Sequence, residues 1–262
     1  MILGAYAVPH PLIILPEVGR GEEEKISATR SSMERMAREI ADFKPDTIVI
    51  SSPHAPYFAD GFYIAGGDHV QGDFRSFGVM EIREEAVLDR EFAQAFHSGL
   101  AKAGILSSVV PAGRRGMDHG ALIPLRFIHQ EYRDFKLVLT GLSLLAEETH
   151  RQAGRILSDL SDSLDRRLVY IASGDLSHVL KKDGPYGFKE EGPRFDAEIA
   201  RIFETGDLDA LFGFAPEFLG EAAECGLRAF QIMAGVLDGR PFTPELYSYE
   251  GTFGVGYAVA SF

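Results

Sequence analysis

Residues 167–178 read RLVYIASGDLSH. The run Leu168–Ala172 is apolar at every position, β-branched or aromatic at three of five, and interrupted by no polar residue. A strand with one wet face would alternate, so this one is covered on both faces, as strands of a parallel sheet between helices are. The chain then leaves the strand through Ser-Gly-Asp and arrives at His178. Two other stretches have the same grammar: TIVISSPH at 47–54 ends on His54, and MILGAYAVPH at 1–10 ends on His10. A fourth, SSVVPAGRRGMDH at 107–119, carries His119 nine positions beyond Val110. Ligands of open α/β sheets bind just past the carboxyl ends of the strands. Four histidines far apart in sequence are therefore expected at one rim.

Between these strands, apolar spacing near 3.6 predicts helices over 22–43, 89–103 and 146–164, with further helices near 194–205 and 221–238. Strands are expected at 2–8, 47–51, 105–110, 135–140 and 167–172, and a final pair at 245–250 and 254–260. Strands alternating with helices imply a doubly covered sheet. The expected fold is α/β: a single domain over residues 1–262, with a mostly parallel central sheet, helices on both faces and an antiparallel C-terminal element.

The formal net charge of −13 argues against a nucleic-acid surface, which needs clustered Lys and Arg. No apolar run approaches the ~18 residues of a membrane span. One cysteine, Cys225, rules out an internal disulfide framework and points to a reducing, cytoplasmic home. Apolar composition near the C-terminus makes a homodimer the expected assembly.

Of the eight histidines, His69, His97, His129 and His150 fall in helical or surface contexts and are expected to be solvated. The rim histidines are different. Neutral imidazole is a common transition-metal ligand, and two histidines with one carboxylate make the facial triad of non-heme Fe(II) oxygenases. Asp118, Asp175, Glu221 and Glu224 are candidates for the carboxylate, and spacing does not choose among them. Zinc hydrolases and lyases use similar ligand sets.

Six segments, in order, carry a resemblance: VPHPLIILPEVGRGEE (8–23), SPHAPYFADGF (52–62), DHGALIPL (118–125), SGDLSHVLKKDGPYGF (173–188), EAAECGLRAFQIMAGVLDG (221–239) and YEGTFGVGYAVASF (249–262). Together they resemble the class III extradiol dioxygenase (LigB-type) superfamily along nearly the whole chain. The likeness is to the dioxygenase-like domain of AmmeMemoRadiSam system protein A and extends to Memo-like proteins. The resemblance implies an Fe(II) enzyme, able to carry zinc or another divalent metal on purification, that opens a catechol-type aromatic diol with O₂ in aromatic compound catabolism. It implies His10, His54 and Glu224 as metal ligands, His178 as the acid–base residue and His119 beside the substrate hydroxyls. Glu221, one helical turn earlier, and Cys225 compete with Glu224, and Memo-like relatives place a cysteine among their ligands near this point. A silent Memo-like metal-binding protein, copper- or redox-linked, is the alternative the cysteine keeps open.

Two loops complete the expected mouth. Residues 180–193, with Tyr186 and Phe188, are rich in Gly and Pro and suit a lid or an aromatic wall. GRRG at 113–116 could offer a guanidinium to an acidic ring substituent.

Overall fold

The computed structural model describes residues 1–113 and 116–262, so Arg114, Arg115 and the guanidinium expected from them lie outside the described residues. Among the described residues the strands are β1 (Ile2–Val8), β2 (Thr47–Ser52), β3 (Gly61–Gly66), β4 (His69–Asp73), β5 (Arg83–Val87), β6 (Leu106–Pro111), β7 (Lys136–Gly141), β8 (Leu168–Ser173), β9 (Glu245–Glu250) and β10 (Tyr257–Ser261). The helices are α1 (Pro16–Gly19), α2 (Ser27–Phe43), α3 (Arg90–Lys102), α4 (His119–Glu131), α5 (Glu147–Ser163), α6 (Glu191–Thr205), α7 (Pro216–Ala222) and α8 (Leu227–Leu237).

Eight strands form one sheet in the order β6-β3-β7-β2-β8-β1-β10-β9, and β4 and β5 form a separate hairpin. The centre, β7-β2-β8-β1, is parallel throughout. Alternate residues of each central strand feed two cores. Ala5, Val49, Val138 and Tyr170 pack under α3, α5, α6 and α8, whereas Tyr6, Ile48, Leu137 and Val169 pack under α2 and α4. Burial on both faces is the reason these strands read as unbroken apolar runs. At the C-terminal edge, β10 pairs antiparallel with both β1 and β9.

Four features depart from the expectations drawn from sequence. Strand β3, antiparallel to β7 and parallel to β6, fills the segment between His54 and the β4–β5 hairpin. Helix α4 begins at His119, where only a rim loop was expected. The helix expected over 221–238 is two helices, because Ala223 adopts a left-handed φ of 52° and the chain turns before α8 starts. His129 and His150 are buried, not solvated: His129 Nδ1 lies 2.7 Å from the Glu84 carboxylate, and His150 packs edge-on against Phe62. Both occupy inner faces of their helices, where a polar ring persists only with partners or packing.

Helices α5 and α8 touch backbone to backbone at Gly154 and Gly235. A Cβ on Gly154 would collide with the Ile232 carbonyl, and one on Gly235 with the Arg151 carbonyl. Gly154→Ala is therefore expected to lower the urea midpoint by an amount equivalent to ~1–3 kcal/mol, the usual cost of overpacking. A midpoint equal to that of the wild type would mean the helices can move apart freely.

Candidate metal centre

The four parallel strands end at one rim, and His10, His54 and His119 meet there. One ring nitrogen from each lies within 4.8 Å of the others. His10 and His54 approach most closely, Nε2 to Nε2 at 3.0 Å. His119 stacks on His54 with ring centroids 4.0 Å apart, and Phe77 closes its outer side edge-on.

A chain of hydrogen bonds fixes the tautomer of His10. Pro124 sits inside α4 and has no N–H to give the carbonyl of Gly120, four residues back. That freed carbonyl accepts the Ser173 hydroxyl at 2.6 Å. With its hydrogen committed, Ser173 Oγ accepts from His10 Nδ1 at 3.0 Å, so the ring proton is on Nδ1. The Nε2 lone pair of His10 is left bare and aimed at His54. Two imidazole nitrogens 3.0 Å apart share either a proton or a cation. The spacing matches two neighbouring ligands on metal–nitrogen bonds of about 2.1 Å.

Electrostatics favours the same donor set. Burial, then the neighbouring His54 and His178, hold the His10 imidazole well below its ordinary titration range. Burial, then His54 and His10, bring His119 down to about 3. Both rings are neutral near pH 7, the form that ligates metals. Asp175 flanks the cluster: Oδ1 accepts the His10 backbone N–H at 2.8 Å, and Oδ2 lies 4.0 Å from His10 Nε2. Burial raises the Asp175 carboxyl to about 6 against the pull of that hydrogen bond.

The late acidic segment divides at the turn between α7 and α8. Glu224 turns away from the histidines, and its Oε2 accepts the Leu227 N–H at 2.7 Å, capping α8. Glu221 is exposed and pairs with Lys189. Cys225 faces the cluster instead, with Sγ 3.8 Å from His10 Nε2. The approach depends on Gly174 and Gly226, since a Cβ on Gly174 would fall on the Gly226 backbone. The Asp175 N–H donates to Cys225 Sγ at 3.3 Å. Burial raises the thiol well above its usual value. Of the residues expected at the metal, the structure brings His10 and His54 together with His119 and Cys225, and it does not bring Glu224 or Glu221.

His178 lines the same cavity, of about 670 Å³, together with Lys181, Tyr186, Phe253 and Tyr257. Among the described residues its Nδ1 is buried without a hydrogen-bond partner, and its ring meets Tyr186 edge-on at 5.3 Å. The 180–193 loop thus supplies Tyr186 as an aromatic wall. The GDLSH loop is pinned from both sides. Leu176 N–H donates to the Gly256 carbonyl and Gly256 N–H to the Ser177 carbonyl, both at 2.8 Å. Beneath the loop, buried Asp196 of α6 accepts Ser177 N–H at 2.8 Å and the Tyr249 hydroxyl at 2.7 Å.

Asp196 also sets a pH dependence. Burial pushes its carboxyl from 3.8 up to about 7, outweighing the two hydrogen bonds. The folded chain thus keeps a proton that the unfolded chain loses near pH 4. Stability is full below the unfolded value, falls as pH rises through the window from about 4 to 7, and levels off above it. Asp196→Asn keeps an acceptor for Ser177 and removes the charge. It should flatten this slope and raise the urea-unfolding free energy at pH 8 by a few kcal/mol, at ~1.4 kcal/mol per pKa unit. Parallel pH profiles for the two proteins would contradict the assignment.

A mostly parallel sheet covered on both faces presents at its carboxyl rim a cluster of three histidines that could hold a metal ion. The family is specific: residues 4–260 match the model of the catalytic LigB subunit of aromatic ring-opening dioxygenase, and the chain belongs to that family. Protein CA_C1420 of Clostridium acetobutylicum is 36% identical over 264 residues, covering 98% of this chain and 56% of that protein. The chain thus spans about half the length of that relative. The 2-aminophenol 1,6-dioxygenase beta subunit of a Pseudomonas species is 25% identical over 290 residues, covering 98% of this chain and 92% of the subunit. A MEMO1 family protein of Methanosarcina mazei is 29% identical over 112 residues, covering 42% of this chain and 39% of that protein. Among the described residues no helix is long and apolar enough to cross a membrane.

Proposed function

We propose that the chain is a metal-dependent dioxygenase that opens the ring of a catechol-type aromatic diol with O₂. His10 and His54 would hold Fe(II), with His119 completing the cluster of nitrogen donors. The observation that carries the reading is the locked tautomer of His10, whose bare Nε2 faces a second imidazole at 3.0 Å. A bound divalent iron would supply a template for diol and O₂ and a path for electrons between them.

The chain's own residues account for the rest. Phe253, Tyr257 and Tyr186 offer apolar and aromatic surface to a planar ring. His178, on the cavity wall, would take a proton from a diol hydroxyl and return one later. The loop clamp on Asp196 and Gly256 holds it in that position. Ser173 keeps the His10 proton away from the donor nitrogen. Ser173→Ala should therefore weaken Fe(II) or Zn(II) affinity by roughly 10- to 100-fold, the usual effect of losing the partner that orients a ligand. Unchanged affinity by metal titration would show the tautomer is set elsewhere. Oxygen uptake by anaerobically Fe(II)-loaded protein over a panel of catechols tests the activity. Diol-dependent uptake that Zn(II) loading abolishes supports the reading, and no uptake with any diol removes it.

The position of Cys225 favours a second reading, a Memo-like centre with sulfur ligation and no ring-opening activity. Its Sγ is 3.8 Å from His10 Nε2, whereas Glu224 would have to abandon the α8 N-terminus to reach the histidines. The two readings part on a pair of variants. Glu224→Ala should keep the metal and lose ~1 kcal/mol of stability, the worth of a helix cap. Cys225→Ser should keep the metal if nitrogen donors suffice and lose it if the thiolate is a ligand, as metal binding followed by equilibrium dialysis would read out.

A further inference from the structure

Three neighbouring strands leave the sheet in register. Val8 of β1 pairs with Ser173 of β8, and Ser51 of β2 pairs with Ala172, so Ser52 lies at the level of Ser173. Two residues past that level come His10, Asp175 and His54, with Asp175 following the middle strand of the three. The carboxyl rim thus receives a carboxylate at the position equivalent to the two histidines whose nitrogens approach to 3.0 Å.

Asp175 is fixed by its backbone and by one of its oxygens. Its Oδ1 accepts the His10 N–H at 2.8 Å. Its own N–H donates to Cys225 Sγ at 3.3 Å, and its carbonyl accepts the Cys225 N–H at 3.4 Å and the thiol at 3.6 Å. The thiol hydrogen is engaged on that carbonyl, whereas a ligand sulfur has to lose it. Cys225 is thereby a clamp on Asp175.

The second oxygen, Oδ2, accepts no hydrogen bond among the described residues. It lies 4.0 Å from His10 Nε2, on a side chain that is 10% exposed and lines the cavity of the histidines. Two donors with bonds of about 2.1 Å to one ion stand at most ~4.2 Å apart, so this separation fits a shared cation. Among the described residues no lysine or arginine pairs with Asp175. The two lysines of the cavity are engaged elsewhere, Lys25 with Glu22 and Lys181 with the Thr252 carbonyl. A carboxylate drawn out of water without a positive partner is costly, and a divalent ion offsets that cost.

We propose that Asp175 is the carboxylate ligand of the metal centre, completing with His10 and His54 a set of two histidines and one carboxylate. Glu224 stays on the N-terminus of α8 in this arrangement. The assignment rests on the proposed role of the histidines as ligands and not on the reaction catalysed.

Titration of the full chain with Co(II), followed by visible absorption, and competition with Zn(II) read coordination and affinity together. Asp175→Asn keeps an oxygen for the His10 N–H and removes the charge. It should weaken both metals at least ~10-fold, and Asp175→Ala ~100-fold or more, since losing a residue that only orients a ligand already costs 10- to 100-fold. The cobalt bands of metal-saturated Asp175→Asn should move, because a ligand has changed. The wild-type complex should lack the near-ultraviolet charge-transfer band of a cobalt thiolate. Either Asp175 variant suffices should the other fail to fold. Undiminished affinity in these variants overturns the proposal. So does weakened affinity with wild-type cobalt bands, which makes Asp175 a neighbour of the ion only, and so does a thiolate band, which gives the anionic position to Cys225. His54→Ala keeps two failures apart. Undiminished binding there removes the histidine centre itself, whereas loss there with normal binding in Asp175→Asn removes the carboxylate alone.

Discussion

Replacing His10 or His54 with alanine should lower affinity for Fe(II) or Zn(II) by more than ~100-fold and abolish diol-dependent oxygen uptake. The estimate follows from comparison: losing a residue that only orients a ligand costs 10- to 100-fold, so losing the ligand itself costs more. His10 is the more informative of the two. It is 1% exposed, its Nδ1 proton is committed to Ser173, and its backbone N–H is committed to Asp175. Alanine leaves that backbone bond intact while deleting the one nitrogen that the surrounding network leaves bare. It also empties a buried volume, so a fall in thermal stability is expected as well. His54→Ala serves as the control, because its ring is less enclosed and its removal leaves a smaller void. Retention of stoichiometric metal by either variant would place the metal elsewhere.

The second large effect concerns proton transfer. His178→Ala should retain metal and still bind a catechol, while turnover falls by roughly 10²- to 10⁴-fold, the usual contribution of a positioned acid–base group. The separation of effects follows from geometry. The His10 tautomer is set by Ser173, Gly120 and Pro124, through hydrogen bonds in which His178 takes no part. The GDLSH loop is held by backbone bonds to Gly256 and by Asp196, which alanine at 178 leaves in place. Single-turnover kinetics with a metal assay on the same sample would separate the two quantities. Loss of metal in this variant would make His178 a ligand, and unchanged turnover would make the loop structural only.

Much of this architecture is legible in sequence because burial on both faces writes itself as unbroken apolar runs. Val49, Tyr170 and their neighbours announce the central strands, and the strand ends deliver His10, His54 and His178 to one rim. Other elements were hidden for identifiable reasons. Helix α4 is buried nearly all round, from Gly120 to His129, so it has no polar stripe to give it a period, and Pro124 reads as a breaker. Strand β5 inverts the expected pattern: Glu84 points inward to meet His129 and Arg126, whereas Val87 points out. The placement of Glu224 and Cys225 turns on Ala223, an alanine in the left-handed region, which no composition signal marks. One backbone angle thus decides which of two adjacent side chains faces His10.

The role of Pro124 shows how an apparent defect in a helix can serve a site two elements away. The carbonyl it leaves unpaired is the first member of the relay that bares His10 Nε2. The motif DHGALIPL therefore contributes His119 directly and His10 indirectly.

The most direct test of the proposed activity is a single turnover with labelled oxygen. Protein loaded anaerobically with Fe(II) is mixed with a catechol that drives oxygen uptake, under ¹⁸O₂, and the product is analysed by mass spectrometry. The account predicts one ring-opened product per metal, carrying both labelled atoms, with none formed by the Zn(II) form or by His10→Ala. Diol oxidised to a quinone without oxygen incorporation, by a protein whose metal site is full, would contradict it.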